Sequence, residues 1–413
     1  MTLLASNLWE IETNIPSGYR FTSNSLTPIG LSGGLTFTRT GAVSTRGKPD
    51  GLLEIVGPNI PRFTHDPLTG VSRGIVIEPD ATNLLQFPEA LDNAVWDAPS
   101  NNGAVTPNVA TDQFGNLKFD RLASDGTNDR RRQTVAHTSG STQWFAHGAV
   151  AKSATSKVFE IRIGLEGGTT PIYTTVQINA STGAVTRTEG VGQFGAIEFP
   201  GYYRLWCSVT DNASGNNSKF TQPRCATSGQ SVDIGGFQLE PTLLSTYIPS
   251  DGPQVTRTKD LLTAPRTIQG GMYSAVIEAI MPLYTTAAFT RLLTLHDGSV
   301  SNRVDVRRNP NTNAITLHVV AGVVNVASLT SSAITGGTRF KAAFAVAANN
   351  FALAVTGGVA ALTDTAGALP PVTTLNIGSY WNSVEQWGGQ ILSFKEYNGI
   401  LLSDAELQKL VAL

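Results

Sequence analysis

Apolar and polar residues alternate with a period of two along most of the chain. From Lys157 to Leu165, Phe159, Ile161, Ile163 and Leu165 fall on one side, and Glu160 and Arg162 on the other. Successive side chains of a strand point to opposite faces, so this stretch predicts a strand with one face in a core and one in water. Tyr173 to Asn179 repeats the pattern and ends in the turn Ser181-Thr182-Gly183; Tyr202 to Val209 and Val232 to Leu239 follow it. Further strands are expected at 35–39, 74–78, 272–279, 291–295, 303–307, 314–319, 339–346 and 350–355. Turns rich in Gly, Pro, Asn and Asp separate them, such as Asp66-Pro67-Leu68-Thr69-Gly70 and Asn309-Pro310-Asn311. Glycine supplies positive φ, proline fixes φ, and Asp bonds its own backbone. Helical spacing is scarce. Its exception starts at Ser403, where Ser403 and Glu406 have capping-box spacing, Leu402 and Leu407 can form a staple, and Leu407, Leu410 and Val411 share a face.

This pattern predicts an all-β protein of tandem antiparallel sandwiches in three regions. Residues 1–85 are dense in turns and thin in apolar residues, which suits packing on a neighbouring domain or another subunit. Residues 86–262 hold a full set of strands, and 253–260 reads as a polar linker. Residues 266–413 carry a complete strand series closed by the helix, and are expected to stand alone.

Two stretches carry a resemblance. Asn376-Ile377-Gly378-Ser379-Tyr380-Trp381, Trp387 to Tyr397, and Leu402 to Leu407 resemble the ending of concanavalin A-like (laminin G-like) sandwiches. Gly236-Phe237-Gln238-Leu239-Glu240-Pro241, then Tyr247-Ile248-Pro249-Ser250, resembles the late strand of jelly-roll carbohydrate-binding modules. Further upstream, Leu35 to Ala42, Pro61 to Gly70, Gly74 to Glu78 and Ala81 to Leu85 are similar to a segment of tailed-phage structural proteins, where it precedes such modules. The resemblance implies a non-enzymatic virion protein of tail fibre, tail spike or head fibre type, on the particle surface and made in the host cytoplasm. Attachment to host-surface glycans is implied in the same way. It also implies a homo-oligomer, expected as a trimer, joined to other virion proteins through the N-terminal region. The competing readings are a head or tail decoration protein that binds no glycan, and a spike that depolymerises polysaccharide.

Composition narrows the choice. Charged residues are 15% of the 413, against roughly 25% in ordinary globular domains, and Gly, Thr, Ser and Asn fill the gap. Low charge suits a turn-rich β protein or one that buries surface in an oligomer. The net charge of −2 offers no basic field for a phosphate backbone, so no nucleic-acid partner is expected. The run Arg130-Arg131-Arg132 reads as a solvated edge or as a contact with an acidic partner. No apolar stretch approaches 18 residues, so no membrane insertion is expected. Cys207 and Cys225 are either buried thiols or one bridge.

No catalytic set is evident. Hydrolases of the concanavalin A-like type usually carry two Glu flanking an Asp on one strand, and no Glu-x-Asp-x-x-Glu run occurs here. Glu10 and Glu12 have strand-face spacing but read as solvent or subunit contacts. His65, His137, His147, His296 and His318 are scattered without metal-ligand spacing, so no cofactor is expected. Calcium has one opening, through Asp297 and Asn302. Sugars are held by flat rings beside polar side chains. Tyr380, Trp381 and Trp387, with Asn382, are therefore the candidate carbohydrate-binding residues, while Trp144 and Trp206 read as core. Asp233 and Glu240 read as groups that hold turns and strands.

Overall fold

The computed structural model describes residues 17–22, 25–28, 34–41, 43–97, 102–126, 129–382 and 384–412. Glu10 and Glu12 lie outside the described residues. The chain is all-β, with antiparallel sheets packed as two sandwiches and the helix Asp404–Val411.

One sandwich is the jelly roll. Its first sheet has six strands in the order Phe194–Glu198, Tyr202–Thr210, Gln143–Ala151, Ser231–Pro241, Leu117–Ala123, Ala104–Thr111. The facing sheet runs Asp129–Arg130, Ser218–Cys225, Val158–Glu166, Ile172–Asn179, Val185–Glu189, and Gln133–Ala136 also pairs with Ser218–Cys225. Phe159, Ile161, Ile163 and Leu165 point between the sheets, meeting Leu205, Ile234 and Leu239 from the other side. Cys207 and Cys225 are both buried in this core as free thiols. Burial pushes both thiols above their ordinary pKa.

The second sandwich is built from both sides of the first. Its seven-stranded sheet runs Val324–Ala333, Ala314–Ala321, Arg303–Arg308, Thr290–His296, Thr374–Ile377, Leu261–Pro265, Thr36–Thr38. The opposing sheet centres on Met272–Ile280 and Gly389–Asn398, and Gly389–Asn398 also pairs with Ser17–Thr22 and with Ser72–Ile77. Phe37, Phe63, Ile75, Ile77 and Leu262 share one core with Phe344, Trp387 and Phe394. Sheet membership thus departs from the expected boundaries at 85 and 266: residues 81–257 form an insertion between two parts of one sandwich. Residues 266–413 are not a complete unit, because strands from 36–77 and 261–265 fill places in both sheets. The thin apolar content before residue 85 has its explanation here, since those few large side chains complete a core made mostly by distant residues. Gly74, at φ 76°, marks a close approach of the two parts: a Cβ there would lie 2.1 Å from the Ile391 carbonyl oxygen.

The two crossings between sandwiches run side by side. The Glu78 amide donates to Asp260 Oδ2 at 3.0 Å, and the Asp260 amide to the Glu78 carbonyl at 2.9 Å. Around them lies a buried ionic cluster. Arg62 donates to Glu78 at 2.8 Å and also to Asp260, Arg257 reaches Glu78 at 2.5 Å, and Arg39 lies 3.5 Å from Asp260. The Thr246 amide and hydroxyl each donate to Glu78 at 2.8 Å. The stretch 253–260, expected as a linker, contains the strand Val255–Arg257, which pairs with Ala81–Asn83.

The helix forms as its cap predicts. Ser403 Oγ accepts from the Glu406 amide at 3.4 Å, and Glu406 accepts from the Ser403 amide at 2.8 Å. Leu407 and Val411 pack on a sheet face of small residues, Ala343, Ala345, Ala352 and Ala354, whose large neighbours Phe344, Phe351 and Leu353 point inward.

Candidate functional site

The expected aromatic site divides. Trp387 is fully buried in the core, where its Nε1 donates to the Ile280 carbonyl at 3.3 Å and its ring lies 6.0 Å from Phe340. It cannot meet a ligand; the neighbouring glycines let the chain turn its ring inward. Tyr380 and Trp381 stay half-buried, 6.2 Å apart and edge to face, and Asn382 is exposed beside them. The Asn376 side chain donates to the Tyr380 carbonyl at 2.8 Å and holds this turn over the seven-stranded sheet.

The face beneath is polar, as period-two alternation requires. One cross-strand row reads Asn376, Thr294, Asp305, His318, Ser328. Asp305 is fully buried. It accepts from Thr294 Oγ1 at 3.1 Å and from Arg303 Nε at 2.8 Å, and lies 3.5 Å from His318 Nδ1. Burial opposes its ionisation, but the adjacent His318 ring and the charges of Arg291 and Arg303 outweigh that and hold its carboxyl below the usual range. Asp305 is therefore a positioning group for the arginines. Arg291 pairs with Glu385 at 2.9 Å and sits 4.5 Å from the Tyr380 ring centre. Arg303 lies 5.6 Å from the same ring, and Arg307 lies 4.2 Å from Phe289. Rings and guanidinium groups thus alternate across this face.

The jelly roll carries a second face of the same kind, on the outside of its Val158–Glu166 sheet. Thr134, Phe220, Gly164 and Tyr173 form one cross-strand row. A Cβ on Gly164 would lie 2.4 Å from the Phe220 ring and 2.6 Å from that of Tyr173, so the missing side chain lets both rings lie close over the strand. Arg132 is 3.7 Å above Phe220, and Arg162 is 4.0 Å above Tyr173. Carboxylates fix the guanidinium groups: Arg132 to Glu166 at 2.5 Å, Arg162 to Glu189 at 3.0 Å, Arg224 to Glu160 at 2.6 Å. Of the 29 basic residues of the chain 20 are arginines, the residue whose planar fork stacks on rings and binds hydroxyl pairs or carboxylates with two hydrogen bonds. In the sequence, Arg162 falls on the water-facing side of its strand and Arg132 in a basic run, but strand register, which brings Phe220 and Tyr173 beneath them, leaves no local signal.

The remaining candidates have structural partners. Asp233 pairs with Arg121 at 2.7 Å across neighbouring strands, and Glu240 accepts from the Ser245 amide at 2.8 Å and holds that turn. Asp297 is taken up by Ser299 and Asn302, at 2.7 Å each, so the expected calcium opening is a closed turn. His137 bonds Asp211 at 2.8 Å, His65 lies 3.0 Å from the Gly47 carbonyl, and His147 is fully buried. Trp206 is buried in a cluster with Tyr284 of the other sandwich, and Trp144 lies 4.3 Å from the Lys219 ammonium. Among the described residues, no three His, Cys, Asp or Glu side chains are grouped to hold a metal.

No protein-family model matches the sequence, and no curated protein matches it. Solved structures similar to this chain include the Ruminococcus gnavus IT-sialidase CBM40 bound to α2,3-sialyllactose, at 18% identity, covering 34% of this chain and 83% of that one, with a TM-score of 0.30. Domain 4 of the GH43 arabinanase AbnA from Geobacillus stearothermophilus, in complex with arabinotriose, is 14% identical, covering 41% and 82%, with a TM-score of 0.29. Mouse laminin α1 domains LG4-5 are 12% identical, covering 66% and 85%, with a TM-score of 0.23. The chain is similar to these as an antiparallel β-sandwich protein.

Proposed function

We propose that this chain is a non-enzymatic phage virion protein that presents two sandwiches for attachment to host-surface glycans. The observation that carries the reading is the outer jelly-roll sheet, where the half-buried Tyr173 ring lies by Gly164 under Arg162, and Arg132 covers the buried Phe220 ring next to it. A strand-borne surface of planar groups, the half-buried Tyr173 ring with the half-buried guanidinium groups of Arg132 and Arg162, suits sugar hydroxyls and carboxylates. The Tyr380–Trp381 face supplies a second surface of the same composition. The virion role rests on the resemblance of 35–85. Immobilised bacterial surface glycans test the reading: Arg162→Ala and Tyr173→Ala should each weaken retention of the full chain about tenfold, the loss of one good charge-assisted contact. Unchanged retention by both variants refutes the glycan assignment, and absence of the protein from purified particles refutes the virion role.

One further feature supports the oligomer and, with it, the decoration reading. Residues 309–338 and 342–363 contain no Asp, Glu, Lys or Arg. They include the edge strand Val324–Ala333 and the exposed Val323, Val324 and Val359. An exposed edge without charge is suited to contact between chains. Light scattering at micromolar concentration should return more than one copy, with a trimer expected; a monomer mass refutes it.

A further inference from the structure

The two sandwiches enclose a cleft of about 150 Å³, enough for several waters. Its polar wall includes Arg204 from the jelly roll, and Arg73, Glu78 and Gln390 from the other sandwich and its crossing. Glu78 is already engaged: Arg62, Arg257 and the Thr246 hydroxyl donate to Oε2, and the Thr246 amide to Oε1. Arg204 is in the opposite condition. Its Nε donates to His147 Nδ1 at 3.1 Å and its Nη2 to the Ser245 carbonyl at 2.6 Å, and it forms no ion pair among the described residues. Nη1 has no hydrogen bond there, and neither does the Gln390 amide. Glu240 is held by Ser245 instead, at 2.8 and 2.6 Å, and burial raises its pKa to about 7. Burial and the adjacent Arg204 keep His147 neutral.

The charges around the junction do not balance. Arg39, Arg62, Arg204 and Arg257 face Glu78, Asp260 and a partly protonated Glu240. A buried surplus cation is costly unless paired. We propose that the cleft is an anion site, taking a compact oxyanion or carboxylate on Arg204 Nη1, with Gln390 and the donors that Arg73 keeps beyond its 2.5 Å pair with Asp66 as its other donors. Both sandwiches contribute donors, so the bound anion bridges them. The volume admits a tetrahedral oxyanion or the carboxylate end of one acidic sugar, and not an oligosaccharide.

Calorimetric titration of the full chain tests this, with sulfate and glucuronate as separate probes and ionic strength held with chloride. One saturable site per chain is expected for at least one probe, together with a rise in Tm that chloride does not give. Preference for sulfate assigns the site to free inorganic oxyanions, and preference for glucuronate to an acidic sugar. Arg204→Gln should weaken binding tenfold or more and Arg73→Ala about threefold, with the β spectrum in circular dichroism retained. Absence of saturable binding of both probes overturns the proposal, and so does wild-type affinity in a folded Arg204→Gln variant. Should that variant not fold, Arg73→Ala decides alone, and unchanged affinity there overturns it. Arg204 lies on the sheet opposite Tyr173, so this site and the outer glycan face fail independently.

Discussion

Replacing Glu78 with Gln tests the junction directly. The carboxylate lies between Arg62, at 2.8 Å, and Arg257, at 2.5 Å, and also accepts from the Thr246 amide. In the wild type, three arginines, Arg39, Arg62 and Arg257, face two carboxylates, Glu78 and Asp260. The shape is kept in Glu78→Gln, but the surplus grows from one cation to two. Removing one partner of a buried pair costs about 3–5 kcal/mol, a large share of the roughly 5–15 kcal/mol that holds a domain folded. The double variant Glu78→Gln, Arg257→Met returns the surplus to one and removes a guanidinium that would otherwise stay buried and unpaired. It should recover about half of the loss. Urea unfolding followed by circular dichroism and by tryptophan fluorescence measures both variants. A cost below about 1 kcal/mol for Glu78→Gln, or a double variant no more stable than the single, refutes the reasoning.

Stability should pass through a maximum at about pH 4–4.5. Burial raises the folded-state pKa of Glu240 and of Glu89 to about 7, so the native state keeps protons that the unfolded chain has lost, and stability falls as pH rises from about 4.5 to about 7. Glu78 is opposite: burial works against it, but Arg257 and Arg62 hold it down to about 2, so its contribution is complete above about 4.5 and is lost as pH falls toward 2. Urea midpoints measured from pH 3 to 8 check both arms, and a monotonic rise across the range contradicts them. Gly164→Ala should cost about 1–3 kcal/mol by overpacking and weaken glycan retention with it, because the Cβ would displace the Phe220 and Tyr173 rings; a variant of wild-type stability and retention contradicts the packing of those rings. A segment of residues 266–413 produced alone should be aggregated or unfolded, because it lacks Phe37, Phe63, Ile75, Ile77 and Leu262 from its core; a soluble segment with cooperative unfolding contradicts this.

Local patterns were legible in the sequence. Period-two alternation at 157–165 placed four core residues on one side and Glu160 and Arg162 on the other, although Glu160 is buried against Arg224 rather than in water, and the Ser403–Glu406 spacing located the cap. Both depend on residues a few positions apart. Three features depended on contacts between residues far apart in the chain and left no such trace. Leu262 and Phe37 pair across neighbouring strands, yet nothing near either residue names the other. The outer jelly-roll face needs the register of Ser218–Cys225 against Val158–Glu166 to bring Phe220 beside Gly164. Trp387 read as a turn aromatic open to ligand because composition does not say which way a ring points, and here it closes the core.

The insertion of the jelly roll also dictates an order of events during synthesis. Residues 81–257 hold nearly all of their partners within themselves and can fold as they emerge. The strand Ser72–Ile77 has to wait for Gly389–Asn398, more than three hundred residues later, which at roughly 5–20 residues per second is on the order of half a minute. Through that interval Phe63, Ile75 and Ile77 have no core to enter, and the long loop that must close favours slow pairing. The newly made chain is therefore most exposed to mispairing at its earliest strands. A holding chaperone, or a neighbouring copy still on its ribosome, has its longest opportunity there.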